Sequence, residues 1–286
     1  MADAKPHRFR RIAFAVLRTV VFIYIGVLML LFFFQSRLVF APAREISVTP
    51  ADAGLPYEDV SFAAADGTAL SGWFVPASSP RAVVLHCHGN AGNISDRLDI
   101  LSVLHAMNLD VFIFDYRGYG TSQGKPTENG VYQDAQAAWN YLTEVRHIPP
   151  ERIVIHGHSL GGPIAAHLAR DHAPAALVLE STFPSLTDVA SHYYPWLPVR
   201  WLLRFRFDTL QYLSIHSYPL LVIHSPQDEV VPFALGRRLF EYADQPKEFL
   251  EITGGHNDGF DVSGRTYTEG WSRLLDQCVP RTPQGE

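Results

Sequence analysis

Cysteine is nearly absent from this chain. Cys87 and Cys278 are the only two among 286 residues, too few for a disulfide framework or a four-cysteine zinc site. A basic excess is also missing. Lysine and arginine number 23 against 29 acidic residues, a net charge of -6. That balance is not the footprint of a nucleic-acid binder. Charged residues make up 18% and apolar ones 47%, which excludes a disordered chain, a coiled coil and a multi-span membrane protein. There is no internal repeat and no low-complexity stretch. Very long apolar runs are lacking too, with one exception at the N-terminus.

Residues 1–11 carry Lys5, Arg8, Arg10 and Arg11 against a single acid, Asp3. Residues 12–34 are then apolar apart from Arg18 and Thr19. At ~1.5 Å per residue this window is ~34 Å long, enough for a ~30 Å hydrocarbon core. Arg18 shortens the charge-free part to residues 19–34, but it lies near the basic end and can snorkel to the headgroups. Three readings compete. A single-pass anchor is the expected one. A cleavable signal peptide is the rival, because Ala41-Pro42-Ala43 resembles a small-residue cleavage site. Its apolar run exceeds the usual 7–15 residues of a signal core, and Arg37 with Leu38-Val39-Phe40 separates it from the candidate site. A buried core helix is disfavoured, since residues 30–34 are apolar on every face. The basic tail predicts a cytoplasmic N-terminus and a body on the other side of the membrane; Arg37 and Arg44 offset part of that bias.

About 240 residues follow, enough for one large α/β domain. Residues 60–64 and 69–75 flank Asp66-Gly67 and predict an antiparallel hairpin. Continuous apolar runs then occupy 82–87, 111–114, 153–156, 176–179, 220–224 and 249–252. Continuity rather than alternation predicts parallel strands buried on both faces. Helix-length segments at 97–108, 131–146 and 162–171 lie between them, which makes a layered α/β architecture. Sites in such sheets form at the carboxyl ends of strands.

After the 153–156 strand the chain reads Gly157-His158-Ser159-Leu160-Gly161-Gly162. This G-x-S-x-G stands at a strand-to-helix junction, where a tight turn lifts a serine hydroxyl above the sheet. The backbone N–H of Leu160 can face a developing oxyanion. The competing reading is a helix-capping serine in a glycine-rich turn. A nucleophilic serine needs a base that an acid orients. The expected order on this architecture is serine, acid, histidine. Asp228 follows the 220–224 strand and His256 follows the 249–252 strand. Glu180, directly after residues 176–179, is the rival acid. Asp258 and Asp261 are too near His256 in sequence. The loop after the 82–87 strand, His88-Gly89-Asn90-Ala91-Gly92-Asn93, should supply the second oxyanion donor, and the N–H of Asn90 is the candidate.

His86, His88, His156 and His158 raise a metal reading. A catalytic zinc wants three protein ligands and an open position, and no H-E-x-x-H or acid-rich partner accompanies them. No metal and no cofactor is therefore expected. Cys87 ends a buried strand and reads as core.

Cys87-His88-Gly89-Asn90, Asp115-Tyr116-Arg117-Gly118-Tyr119-Gly120, Gly157-His158-Ser159-Leu160-Gly161-Gly162 and Gly255-His256-Asn257 together resemble the α/β-hydrolase superfamily. The likeness spans about residues 60–275. It is nearest to membrane-anchored, small-cap serine hydrolases of the bud-emergence type, with serine-aminopeptidase-like and depalmitoylase-like relatives. Gln35-Ser36-Arg37-Leu38 matches a segment that follows the anchor in that branch, which argues against cleavage at Ala43. The resemblance implies an eight-stranded, mostly parallel sheet flanked by helices, a small cap, a Ser-Asp-His triad and no cofactor.

The division expected is a basic cytoplasmic tail (1–11), a transmembrane anchor (12–34), a linker packing on the domain (35–59), the catalytic domain (60–279) with its cap within 181–218, and a tail (280–286). The cap mixes His192-Tyr193-Tyr194-Pro195-Trp196-Leu197-Pro198 with Arg200-Trp201-Leu202-Leu203-Arg204-Phe205-Arg206-Phe207. That mixture suits a site beside a bilayer, and equally aromatics packed on the domain with solvated arginines. The expected activity is cleavage of acyl esters or thioesters through an acyl-enzyme. Amide or peptide cleavage on the same fold is one alternative, and a non-catalytic membrane-attached scaffold is the other.

Overall fold

The predicted hairpin and the six continuous apolar runs all become strands of one sheet. In a computed structural model of the chain, which describes residues 5–213 and 217–279, these are β1 (Glu58–Ala63), β2 (Ala69–Val75), β3 (Val83–Cys87), β4 (Asp110–Asp115), β5 (Ile153–His158), β6 (Ala176–Glu180), β7 (Leu220–His224) and β8 (Lys247–Glu251). Their spatial order is β8-β7-β6-β5-β3-β4-β2-β1. The hairpin β1–β2 and the β2–β4 pair are antiparallel, and every other pair is parallel. The sequence expectation of eight strands, mostly parallel, matches this sheet. The expected 280–286 tail and the first four residues of the basic segment lie outside the described residues.

Burial on both faces explains the unbroken apolarity. Leu85, Phe112, Phe114, Ile155, Leu177 and Val222 face one layer of the core. Their neighbours Val84, Val111, Ile113, Val154, Val178 and Leu221 face the other. The first layer is closed by α3 (Glu128–Asn140) and α4 (Gly161–Arg170), the second by α2 (Leu98–Ala106) and, near the C-terminus, α10 (Arg265–Cys278). Helix ends differ from expectation by a few residues. The α3 helix starts three residues earlier than 131 because Thr127 caps it, its Oγ1 accepting from Gly130 N at 3.0 Å. A wider turn of helix at Tyr141–Val145 replaces its expected end.

The chain order places the site. From β3 the chain crosses outward to β4, then returns to β5 on the opposite side of β3. The carboxyl ends of β3 and β5 therefore flank the point where the winding direction changes, where a crevice must open.

The N-terminal segment is α1 (Lys5–Val39). It runs five residues past the expected boundary at Phe34. Gln35 to Val39 contain no helix breaker, and Phe40 N closes the last turn on Ser36 O at 2.9 Å. Phe14, Phe22 and Phe33 are each about 70% exposed. The stretch Phe9–Val39 is long and apolar enough to cross a membrane. After Phe40 the chain lies on the domain, where Ala41 and Pro42 pair in parallel with Ala91 and Gly92. The segment between β6 and β7 carries α5 (Leu186–Tyr193), α6 (Val199–Leu202) and α7 (Thr209–Tyr212) and forms the cap. The helix α8 (Phe233–Tyr242) links β7 to β8, and a short α9 (Gly259–Val262) precedes α10.

Candidate active site

Ser159 sits one residue past β5 with φ at +54°. That left-handed backbone is uncommon for a residue with a side chain. It turns the chain abruptly into α4, whose first residue is Gly161. The turn is held from outside: Ser159 N donates to Glu180 O at 3.0 Å, and Thr182 Oγ1 donates to Ser159 O at 2.7 Å. The flanking glycines serve close approach rather than positive φ. A Cβ on Gly157 would stand 2.4 Å from Gly161 O, and one on Gly161 would stand 1.9 Å from Cys87 O. The strain of the turn therefore lies on the serine, and the glycines let β3, β5 and α4 close around it.

The Ser159 hydroxyl donates to His256 Nε2 at 2.9 Å. The other ring nitrogen, Nδ1, faces both carboxylate oxygens of Asp228, at 3.0 and 2.9 Å. The loops after β5, β7 and β8 thus meet over the sheet. Asp228 has a fully buried carboxylate. Burial disfavours its charge, but hydrogen bonds from His224 and His256 and from Val231 N outweigh that, and its pKa falls well below the usual carboxylate range. Val230 N and Val231 N donate to Oδ1 at 2.9 and 2.7 Å, and His224 Nε2 stands 3.3 Å from Oδ2. An ionised, fixed acid behind His256 keeps the proton on Nδ1, which leaves the Nε2 lone pair for the serine.

Glu180 is placed differently. It is 3% exposed and accepts from His156 Nε2 at 3.0 Å and Tyr267 Oη at 2.8 Å. Burial opposes its charge, yet its bond to His156 brings its pKa below the ordinary value.

Asn90 and Ser159 line one cleft of about 370 Å3, together with Gly89, Val230, His256 and Asn257. Leu160 follows the serine as the cap residue of α4, its side chain in the core. The Asn90 loop is braced by the segment that follows α1. Asn90 O accepts from Ala41 N at 3.1 Å and from Tyr119 Oη at 2.7 Å, and Asn90 Nδ2 donates to Val39 O at 3.2 Å.

Two histidines of the metal reading pair with each other, and the other two bond to backbone carbonyls. His86 Nδ1 and His156 Nδ1 stand 3.0 Å apart. His88 Nδ1 donates to Gly89 O at 2.7 Å. His158 Nε2 donates to His256 O at 2.9 Å, and burial lowers its pKa to about 4, so it is a neutral brace for the histidine loop. Among the described residues no group of three or more His, Cys, Asp or Glu side chains has the geometry to hold a metal. Cys87 is buried in the core.

Two residues at the site escaped sequence reasoning. Glu229 Oε2 accepts from His256 N at 3.0 Å. Arg97 lines the cleft and reaches Ala91 O in the Asn90 loop. Glu229 directly follows Asp228 and could have been flagged by adjacency. Arg97 ends the short helical turn Ile94–Arg97, seven residues after Asn90 on the same loop beyond β3, so nearness to the Asn90 loop was its signal.

A strand, a strained serine turn and three converging loops at a switch point define an α/β-hydrolase. The family model described as the alpha/beta hydrolase fold matches residues 82–271, and the chain belongs to that family. It is similar to the protein Rv2307c of Mycobacterium tuberculosis, 38% identical over 93% of this chain and 96% of the relative. It is also similar to bem46 of Schizosaccharomyces pombe, 34% identical over 71% of this chain and 72% of the relative. Among solved structures, the Pyrococcus furiosus esterase Pf2001 shares the fold with a TM-score of 0.68 and 22% identity, over 84% of this chain and 98% of that one.

Proposed function

We propose that this chain is a membrane-tethered serine hydrolase that cleaves carboxylic esters or thioesters of acyl, lipid-like substrates through an acyl-enzyme. The observation that carries the reading is the continuous chain of hydrogen bonds from Ser159 through His256 to Asp228. Ser159 Oγ attacks the acyl carbon and forms the new C–O bond. His256 Nε2 takes the hydroxyl proton, and Asp228 stabilises the imidazolium without accepting a proton itself. The N–H groups of Leu160 and Asn90 receive the oxyanion. As the intermediate collapses, the proton passes from His256 to the leaving oxygen or sulfur. Water then repeats the cycle on the acyl-enzyme and frees the acid.

The exposed apolar surface of α1 supports the tether, with the N-terminus cytoplasmic and the catalytic domain on the opposite side. Retention of α1 is supported by Ala41 and Ala43, whose N–H groups donate to Asn90 O and Gly92 O at 3.1 and 2.9 Å. Cleavage after Ala43 would remove this brace from the candidate oxyanion loop.

The test is labelling with a fluorophosphonate probe beside turnover of p-nitrophenyl esters of graded chain length. Wild type should label and turn over. Ser159→Ala should lose labelling, with kcat lower by about 10⁴–10⁶ and an unchanged circular dichroism spectrum. Equal turnover by the purified variant would exclude Ser159 as the nucleophile.

A further inference from the structure

Residues 194–203 of the cap read Tyr-Pro-Trp-Leu-Pro-Val-Arg-Trp-Leu-Leu, with Arg200 the only charge. Trp201 is 89% exposed and Trp196 61%. Exposed Tyr194, Trp196 and Trp201 within eight residues mark an interaction site rather than a water-facing one. The segment also lies against α1. Tyr24 Oη donates to Trp196 O at 3.1 Å. Further along the helix Gln35, 3% exposed, donates Nε2 to Leu202 O at 2.7 Å and accepts from Arg204 N at 2.8 Å. The Arg204 guanidinium stands 5.6 Å from the centre of the Phe32 ring. The cap is thus pinned along ~16 Å of α1, from Tyr24 to Gln35.

Depth follows from the helix. A span of ~20 residues that starts directly after Arg11 ends near residue 31. Tyr24 then lies ~10 Å inside the outer edge of the hydrocarbon, and deeper if the span starts after Arg18. The Trp196 backbone shares that depth. A segment of turns and one short helix enters lipid more readily the more of its polar groups are paired. Six of the eight N–H groups here donate to backbone carbonyls at 2.8 to 3.1 Å: Tyr194 to Ala190 O, and Leu197, Val199, Trp201, Leu202 and Leu203 within the segment. Pro195 and Pro198 have no N–H to satisfy.

We infer that cap residues 194–203 form a membrane-embedded surface whose partner is the lipid leaflet on the catalytic-domain side. The inference rests on the membrane reading of α1 proposed above. Its consequence concerns the cleft. One wall is tied to the cap, where Tyr193 Oη donates to Val230 O at 2.9 Å. The other is tied to the end of α1 through Asn90 and Val39. The mouth above Ser159 is therefore held at the lipid surface, where an acyl lipid enters sideways from the leaflet.

The full chain should be reconstituted in nanodiscs containing brominated phosphatidylcholine, which quenches tryptophan only on close approach. Trp73, Trp139 and Trp271 are buried in the domain, so the cap supplies the accessible signal. Wild-type emission should fall in bromolipid relative to ordinary lipid, and the W196F/W201F variant should lose that quenching. Phe22→Trp, introduced into W196F/W201F, reports on α1 itself. Quenching of this helix reporter alongside unquenched cap tryptophans in wild type would place the cap in water and overturn the inference while the anchor stands. If neither is quenched, α1 lies outside the bilayer and both readings fall. Unquenched cap tryptophans in a particle that cross-links as a dimer would overturn the inference in favour of a second copy covering this face.

Discussion

In the proposed mechanism His256 offers one ring nitrogen to the serine and one to an acid, and the acid decides how well it works. Asp228 reaches Nδ1 at 2.9 Å, whereas the bonds of Glu180 go to His156 and Tyr267. Asp228→Asn can keep the shape but favours the wrong tautomer of His256. We expect kcat to fall on the order of 10⁴. Glu180→Gln leaves the Ser159–His256–Asp228 bonds in place, and its main effect should be on thermal stability, through the buried His156 and Tyr267. Parallel kinetics and melting curves of the two variants check this. A larger kcat loss from Glu180→Gln, with both proteins folded, would reverse the assignment. Both acids stand directly beyond strand ends in the sequence. What separates them is the neighbour each one meets, and that is a matter of strand order.

At the scale of elements, Asp115-Tyr116-Arg117-Gly118-Tyr119-Gly120 is a junction. Arg117 Nη2 and Nε donate to Asp134 Oδ1 on α3 at 2.8 and 2.9 Å, and Nη1 reaches Asp66 in the β1–β2 turn at 2.8 Å. The Asp134 carboxylate is fully buried. Asp134→Ala strands a largely buried guanidinium, and the expected loss is about 3 kcal/mol, the low end for a broken buried pair because Asp66 remains. Chemical denaturation measures it, and a change below the scatter of surface substitutions would refute the junction role. Asp115 supplies a pH-dependent prediction. Burial pushes its pKa up to about 7, against the lowering effect of the bond from Ile94 N. The folded protein then keeps a proton that the unfolded chain releases between about pH 4 and 7. This contribution is complete below the unfolded pKa and is lost as pH rises through 7. Asp115→Asn removes the titration, so its Tm should decline less than wild type between pH 4 and 7. Parallel profiles would show that Asp115 does not titrate there.

For the whole molecule, the membrane reading makes two separable predictions. The mature chain should stay in the pellet after carbonate extraction and retain residues 1–43. A spanning helix is held by far more apolar area than a peripheral contact. N-terminal sequencing that begins at Arg44 would instead reveal a signal peptide. For sidedness, a cysteine at Arg265, whose side chain is 93% exposed, should react with an impermeant maleimide in intact cells. The background would be Cys278→Ser. Cys87 is silent because burial pushes its thiol up to about 12. Labelling only after lysis would put the catalytic domain inside and leave the anchor in place.

Local signals in the sequence determined a good deal: the apolar N-terminal segment, six strands from unbroken apolar runs and two from the hairpin around Asp66-Gly67, the turn around Ser159, and the candidates Asp228, His256, Asn90 and Leu160. Each depends on short-range chemistry, a run of side chains or a glycine spacing, which a linear reading can see. Tertiary structure decided what depends on which strand lies beside which. The order β8-β7-β6-β5-β3 brings residues 97 positions apart to 2.9 Å at Ser159 and His256. Tertiary packing also turns Glu180 toward His156 and lays Trp196 beside Tyr24. Side chains distant along the chain meet only when loop-closure entropy is overcome by packing of the whole core, so no local pattern records these meetings.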